Sequence, residues 1–575
     1  MTPTSGSPGR KRLLAIGVIV ALAAAPFALN LAGDAQVHLA IAEAFAGGRP
    51  FQFNPGGEIV VASTSPFWTM MLALFYRLAG PLTPALLTGV ALGFWAASGY
   101  LLTRLARGLW ELRGVALWAV VLLWLAHTTI VANALGGLEN VAGAFQLLAL
   151  YGLVAGGRAG DRPLSAGRAA LIGGLLGWAM LTRPDSGAFA LLLFVLSWPA
   201  LLHPMVGGTG SPGGWGFVAR RLFLIALVAA AVLLPWFVWQ YRVTGNLLTD
   251  SSLARLYNGR MGSLMLIPDR LYLHPKALLS LSSAFLPLAL GFIATAVELA
   301  LRLWRAKPER LAGYRRDFPR IAAVLLVMAG VLFYTFIVGA EAFGRYFLPL
   351  FPFFFLAGVA GLVAIHDRLV ASGRPRAAVA LVVLCVLFLV STSALDYYRR
   401  LGPGRFMPQR ALDVIRGPAD RRYYSPNMPL LLTAPARRPE LTAGFLSDLG
   451  RPDAGHVSIA VTEVQLRYFL DERVTVLSLD GRTSADILRY VDPMTGVPDF
   501  EAYFLEARPD YVHARQWCEV GGWLATVFPS TIEENLVCAW ERRAATMALG
   551  DSFDWQGRTV TLVAPDILRI DWMAP

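Results

Sequence analysis

The sequence predicts a polytopic α-helical membrane protein with a C-terminal soluble α/β domain, and three observations predict it. Hydrophobic residues make up 56% of the 575 residues and charged residues only 15%, against about 25% charged in an average soluble domain. Mean hydropathy is +0.54. The apolar residues fall into long runs up to residue 397, after which the runs stop and charge becomes frequent. Disorder, a collagen-like repeat, a coiled coil and a small disulfide scaffold are excluded by such a composition.

Residues 1–12 form a polar tail ending in Arg10, Lys11 and Arg12, expected in the cytoplasm. The run 13–32 is about 20 residues, enough to span ~30 Å at helical rise, and reads as a retained first helix rather than a cleaved signal. Further runs lie at 83–103, 114–132, 138–155, 169–182, 186–203, 221–240, 277–301, 321–339, 346–364 and 377–396. Together they predict about 11 transmembrane helices. The run 66–79 is short for a span and reads as an interfacial helix.

Basic residues support this order. Arg104, Arg107 and Arg113 share one loop, Arg158, Arg162 and Arg168 the next basic one, then Arg220 and Arg221. The run from Arg302 to Arg320 and the group Arg368, Arg374 and Arg376 follow. Every second loop is basic if 66–79 does not cross, as the positive-inside bias requires. The net charge of +12 is therefore read as topology and lipid contact, with no nucleic acid as partner. The expected domains are the tail 1–12, a membrane domain 13–397 with a first outer loop 33–82, and an extracytoplasmic domain 398–575.

In that last domain, 456–464, 473–479, 509–513, 558–563 and 567–572 read as strands, and 484–491 and 500–507 as helices. Cys518 and Cys538 could pair in an oxidising compartment or stay as thiols, since two cysteines carry no spacing signature. Trp517, Trp523 and Trp540 would stack on sugars or fill the core. Gly173 and Gly177 form a small-xxx-small pair suited to close helix packing.

The informative polar residues gather at the outer ends of the helices. The first outer loop opens Gly33-Asp34-Ala35-Gln36-Val37-His38, and 35–46 suits an amphipathic interfacial helix. Ser63 or Ser65 could cap the helix that starts at Pro66. Other junctions carry Gly137-Leu138-Glu139-Asn140, Leu181-Thr182-Arg183-Pro184-Asp185, Gln240-Tyr241-Arg242, and Glu341 ahead of Phe343-Gly344-Arg345-Tyr346-Phe347-Leu348-Pro349. Charges at this depth are costly unless paired or wet, so a polar cavity is expected there.

This layout resembles the GT-C superfamily of polyprenyl-phosphate-sugar-dependent glycosyltransferases. The resemblance lies in an aspartate just after the first helix, an interfacial helix in the outer loop, and Thr64-Ser65-Pro66-Phe67-Trp68 opening the next helix. Within it, Gly-Leu-Glu-Asn at 137–140, Leu-Thr-Arg-Pro-Asp at 181–185 and Phe-Gly-Arg-Tyr-Phe-Leu-Pro at 343–349 are most similar to the mycobacterial terminal arabinofuranosyltransferase group. Two departures stand out. No second acid or Tyr follows closely behind Asp34, and no Lys precedes Pro66 in the loop.

The resemblance implies an inverting glycosyltransferase of a bacterial cytoplasmic (inner) membrane. It would move a sugar from a polyprenyl-phosphate donor to an envelope glycan, lipid or protein acceptor on the outer face. A phosphate leaving group needs no general acid. It needs a carboxylate to take the acceptor proton, for which Asp34 is the candidate, and positive charge on the departing phosphate. Arg345, Arg183 and Arg242 are candidates, because an arginine fork matches phosphate. Asp34 as a helix cap, Arg345 paired with Glu341 and Arg183 paired with Asp185 are the plainer alternatives. Glu139, His38, Asp185 and Glu341 would orient the sugar or a cation. A divalent cation as cofactor would suit oxygen ligands such as Asp34 and Glu139, while a lone interfacial His is more often amphipathic surface. The loop 241–276 reads as a lid or an ordinary loop, and the aromatic stretch 351–355 as lipid-facing packing or a prenyl groove wall. A transporter or flippase of a lipid-linked glycan is the alternative function, although transporters favour repeats and midplane polar groups. A catalytically dead scaffold is the third.

Overall fold

The computed structural model describes residues 33–54, 57, 59–61, 63–155, 164–206, 214–247, 249, 285–304, 317–334, 344–401, 438–461, 466–479, 486–490, 499–514, 536–564 and 567–572. The run 13–32, Glu341, Trp517, Trp523, Cys518 and most of the loop 241–276 lie outside them. Cys538 is disulfide-bonded and Cys385 is a free thiol.

Every apolar run within the described residues is helical. In chain order the helices are α1 (Gly33–Ala46), α2 (Pro66–Ala79), α3 (Thr83–Gly108), α4 (Gly114–Ala126), α5 (Thr128–Leu135), α6 (Asn140–Ala155), α7 (Ala166–Thr182), α8 (Pro184–Val206), α9 (Trp215–Thr244), α10 (Phe285–Trp304), α11 (Asp317–Phe333), the short α12 (Gly344–Phe347), α13 (Phe351–Ala371) and α14 (Pro375–Leu401). Among the described residues, four segments are long and apolar enough to cross a bilayer: Pro66–Gly108, Trp215–Thr244, Leu286–Trp304 and Arg345–Ala371. A fifth is added if α4 and α5, bent by 45°, make one span. The chain is a multi-pass membrane protein, but these helices do not establish the count of eleven. The run 66–79 continues into α3 as one apolar segment of 43 residues, interrupted only by a 3-10 turn at Gly80–Leu82.

Glycines set two helix crossings. A Cβ on Gly177 would come 2.8 Å from Val232 of α9, and one on Gly173 would strike the Ile225 carbonyl, so the small pair permits the close approach its spacing predicts. Gly291 of α10 meets Gly358 and Gly361 of α13 in the same way. The aromatic stretch 351–355 is not lipid-facing: Phe351, Phe353 and Phe355 are buried in the helical core.

The C-terminal part is a six-stranded mixed sheet ordered β2-β1-β3-β6-β5-β4. Its strands are β1 (Val457–Val461), β2 (Val474–Ser478), β3 (Tyr511–His513), β4 (Ser552–Trp555), β5 (Arg558–Ala564) and β6 (Ile567–Ile570). β1 is parallel to β2 and β3, with Ile459 beside Val476 and Tyr511, while β6, β5 and β4 pair antiparallel. The β4–β5 hairpin turns at Gln556 and Gly557, at φ 53 and 76, the geometry of a type I′ turn that matches strand twist. The helix read at 500–507 is present as Phe500–Ala507, whereas the described part of 484–491 is the 3-10 turn Asp486–Tyr490. Strand β4 and the helices Arg438–Asp448, Leu466–Phe469 and Leu536–Ala544 escaped the sequence reading, because their apolar residues are too few to show a period.

Alternation along the strands decides how the sheet sits. Val457, Ile459 and Val461 share a core with Ile41, Phe51, Phe53, Val60 and Val61 of the first loop. Ala460, Val512 and Leu568 join Phe504 and Trp540 on the other face, so Trp540 is core. Asn54 completes the docking. Its side-chain amide donates to the Val476 carbonyl at 2.8 Å and its oxygen accepts from the Val476 N–H at 3.0 Å. One side chain thereby satisfies both backbone groups of Val476 on the edge strand β2.

Candidate functional site

The site is assembled from four helix termini. At the first, Gly136 and Gly137 end α5. The Leu138 N–H reaches the Asn133 carbonyl and the Gly137 N–H the Ala134 carbonyl, with Gly137 at φ 72. This is a Schellman cap, which glycine permits. Its tight reversal leaves Glu139 as the cap residue of α6, whose carbonyl accepts from Gly143. At the second terminus, Pro184 holds Arg183 in an extended conformation, φ −161 and ψ 138, and starts α8. Asp185 sits in the first turn of α8, where the helix dipole favours an acid.

These two turns converge on one guanidinium. Arg183 Nη1 donates to Glu139 Oε1 at 2.6 Å, Nε to Asp185 Oδ1 at 2.9 Å and Nη2 to Asp185 Oδ2 at 3.1 Å. The Arg183 and Glu139 side chains are only 5% and 2% exposed. Asp185 Oδ1 also accepts from the Ser186 N–H, and the Tyr334 hydroxyl lies 2.8 Å from Asp185 Oδ2 and 3.0 Å from the Tyr346 carbonyl.

The third terminus is α1. His38 is not amphipathic surface but buried. Its Nε2 lies 3.5 Å from Glu139 Oε2, and its Nδ1 lies 3.0 Å from the Ser63 hydroxyl and 3.4 Å from that of Thr69. Ser63 and Ser65 do not cap α2 through their side chains. Ser63 Oγ instead accepts from the Ser65 N–H and the Thr69 hydroxyl. Helix α1 is largely buried against protein on both sides. Ala35, Leu39 and Ala42 pack on Trp68, Leu72 and Leu138, while Ile41 packs under the sheet.

Asp34, in the first turn of α1, reaches the fourth terminus, α12. Arg345 Nη2 stands 3.1 Å from Asp34 Oδ2, with the two side chains 24% and 28% exposed. The same motif supplies Tyr346, whose ring centroid lies 5.1 Å from the Arg183 guanidinium carbon and 5.3 Å from that of Arg345. The residues singled out in the sequence thus form a buried group (His38, Glu139, Arg183, Asp185) and a more open pair (Asp34, Arg345). Arg242 is exposed near the end of α9 and has no ion pair to another described residue. Tyr334 and Tyr346 were missed, since a tyrosine in an apolar run gives no signal of its partners.

The donor set does not form a metal cage. Among the described residues no three of His, Cys, Asp and Glu are grouped to hold an ion, and Asp34 and Glu139 each face an arginine.

A separate cavity of about 160 Å³ lies between α1 and the sheet domain, lined among others by Glu43, Arg49, Phe53, Arg467 and Asp471. Arg49 and Glu472 pair across it at 3.2 Å. Burial pushes the Asp471 carboxyl up, but hydrogen bonds from Arg473 outweigh this and hold it below the usual carboxylate range.

No family model matches the chain, and no curated protein matches it. Among solved structures it is similar to ArnT from Cupriavidus metallidurans bound to undecaprenyl phosphate, with 16% identity and a TM-score of 0.49 over 87% of this chain and 91% of that one. The apo form of ArnT gives 18% and 0.46, over 86% and 91%. The archaeal oligosaccharyltransferase AglB from Archaeoglobus fulgidus, in complex with an inhibitory peptide and a dolichol-phosphate, gives 11% and 0.49, over 89% and 70%.

Proposed function

We propose that the protein is an inverting glycosyltransferase that takes a sugar from a polyprenyl-phosphate donor on the outer face of the cytoplasmic membrane, with Asp34 as base and Arg345 as the phosphate-binding cation. The acceptor belongs to the envelope, as glycan, lipid or protein. The observation that carries this is the partly open Asp34–Arg345 pair at 3.1 Å, set beside an arginine whose three nitrogens are already spent on carboxylates. Inside one polar site, a carboxylate and a guanidinium are thus within reach of a ligand.

The acceptor oxygen attacks the anomeric carbon from the side opposite the phosphate. Its proton passes to the Asp34 carboxylate, and the anomeric C–O bond breaks with its electron pair leaving on the phosphate oxygen held by Arg345. Base and leaving group stand on opposite sides of the sugar, so the resting pair must part for the donor to enter. Phosphate then replaces Asp34 on Arg345, and the freed carboxylate is available as base. The buried group of Glu139, Arg183, Asp185 and His38 supports this pair and does not touch the donor. Arabinofuranose is the sugar suggested by the motif resemblance.

Sugar transfer by the purified, full-length protein from a panel of polyprenyl-phosphate sugars tests the assignment. A single productive donor is expected, with Asp34→Asn lowering kcat by about 10²–10⁴ in a normally folded variant. No transfer from any donor, together with movement of a labelled lipid-linked glycan across vesicles, would replace the enzyme by a flippase.

A further inference from the structure

We infer that Tyr346 is a positioning residue that holds Arg345 in its working place by tying it to the fixed guanidinium of Arg183. This rests on the glycosyltransferase assignment and adds a residue to its site. Arg345 lies on a helix of four residues that runs straight into a 3-10 turn, Leu348–Leu350. So short a segment cannot fix a long side chain by itself. The neighbouring Arg183 is fixed, because three nitrogens meet two carboxylates in a buried setting. The two guanidinium groups repel one another, yet both lie against the same ring, at 5.1 and 5.3 Å from its centroid. A ring face attracts a cation, and most strongly where water is excluded.

The ring itself is held. It is buried, and the backbone carbonyl of its own residue lies 3.0 Å from the Tyr334 hydroxyl, which in turn lies 2.8 Å from Asp185. The same carboxylate therefore anchors Arg183 directly and Tyr346 through Tyr334. Arg345 takes its position from this frame, at the distance from Asp34 that the structure shows. Replacing the ring by leucine keeps an apolar side chain at the buried position, at some cost in packing, and removes the attraction for both cations.

The test uses the full-length protein in detergent or nanodiscs, with farnesyl phosphate as the binding probe and the productive donor for kinetics. Tyr346→Leu should raise the donor KM and the farnesyl-phosphate Kd at least tenfold, with kcat changed less. Tyr346→Phe keeps the ring, loses the hydroxyl, and should raise both by only two- to threefold. Arg183→Lys keeps the charge but not the fork, and should give the KM effect of Tyr346→Leu even if that variant fails to fold. Normal KM and Kd in folded Tyr346→Leu would overturn the inference. So would a loss in Tyr346→Phe as large as in Tyr346→Leu, since the hydroxyl alone would then matter. A wild type that transfers no sugar and binds no farnesyl phosphate removes the glycosyltransferase assignment and this inference with it. A wild type that does both while Tyr346→Leu matches it removes only this inference.

Discussion

Arg183 and Arg345 look alike in the sequence, each a lone arginine beside a proline- or glycine-marked helix start. In the structure they differ in almost every respect that governs chemistry. Arg183 is 5% exposed and faces Glu139 and Asp185; Arg345 is 24% exposed and pairs with Asp34, itself 28% exposed. A buried cation between two acids is locked, because moving it would strand two uncompensated carboxylates away from water. A part-exposed cation paired with a part-exposed carboxylate can trade it for another anion at little cost. The lesson is that the burial of an arginine's ion pairs, rather than the arginine, separates a structural cation from one available to a ligand.

The largest expected effect breaks the comparison at its buried end. Arg183→Ala should lose about 3–5 kcal/mol of stability, read as a fall in the unfolding midpoint in detergent, because Glu139 and Asp185 are left facing each other. The same substitution at Arg345 should cost at most about 1 kcal/mol. Equal losses at the two positions would erase the distinction. Glu139→Gln is the intermediate case. It keeps the shape and removes one charge while Asp185 still compensates Arg183, so a loss of about 1.5–3 kcal/mol is expected, the range for a hydrogen bond to a charged group. The smallest effect sharpens the exposed end. If phosphate competes with Asp34 for Arg345, Asp34→Asn should bind farnesyl phosphate about two- to fivefold more tightly while losing transfer, a gain of at most about 1 kcal/mol. Weaker binding in that variant would mean that Asp34 holds the donor rather than competing with it.

Much of this was legible before any coordinates. The helices at 83–103 and 221–240 lie within observed ones, because long apolar periodic runs leave the chain little alternative, whereas 114–132 is broken at His127 into two helices bent by 45°. Asp34, Glu139, Arg183, Asp185 and Arg345 stood out because charges beside apolar runs are rare. The partners did not. Arg345 is paired with Asp34, and His38, read as an orienting residue or as amphipathic surface, is buried beside Glu139. Both contacts join residues separated by more than a hundred positions, and no local pattern encodes them.

The sequence by itself determined the apolar body, the helix-ending glycines and prolines, and the residue types at the helix termini, since each follows from burial and backbone sterics acting over a few residues. Only the tertiary structure decided which termini meet, that the sheet domain closes over α1 through Asn54 and the Ile41 core, and which arginine is saturated. Those outcomes depend on distances across helices, which no local pattern in the chain encodes.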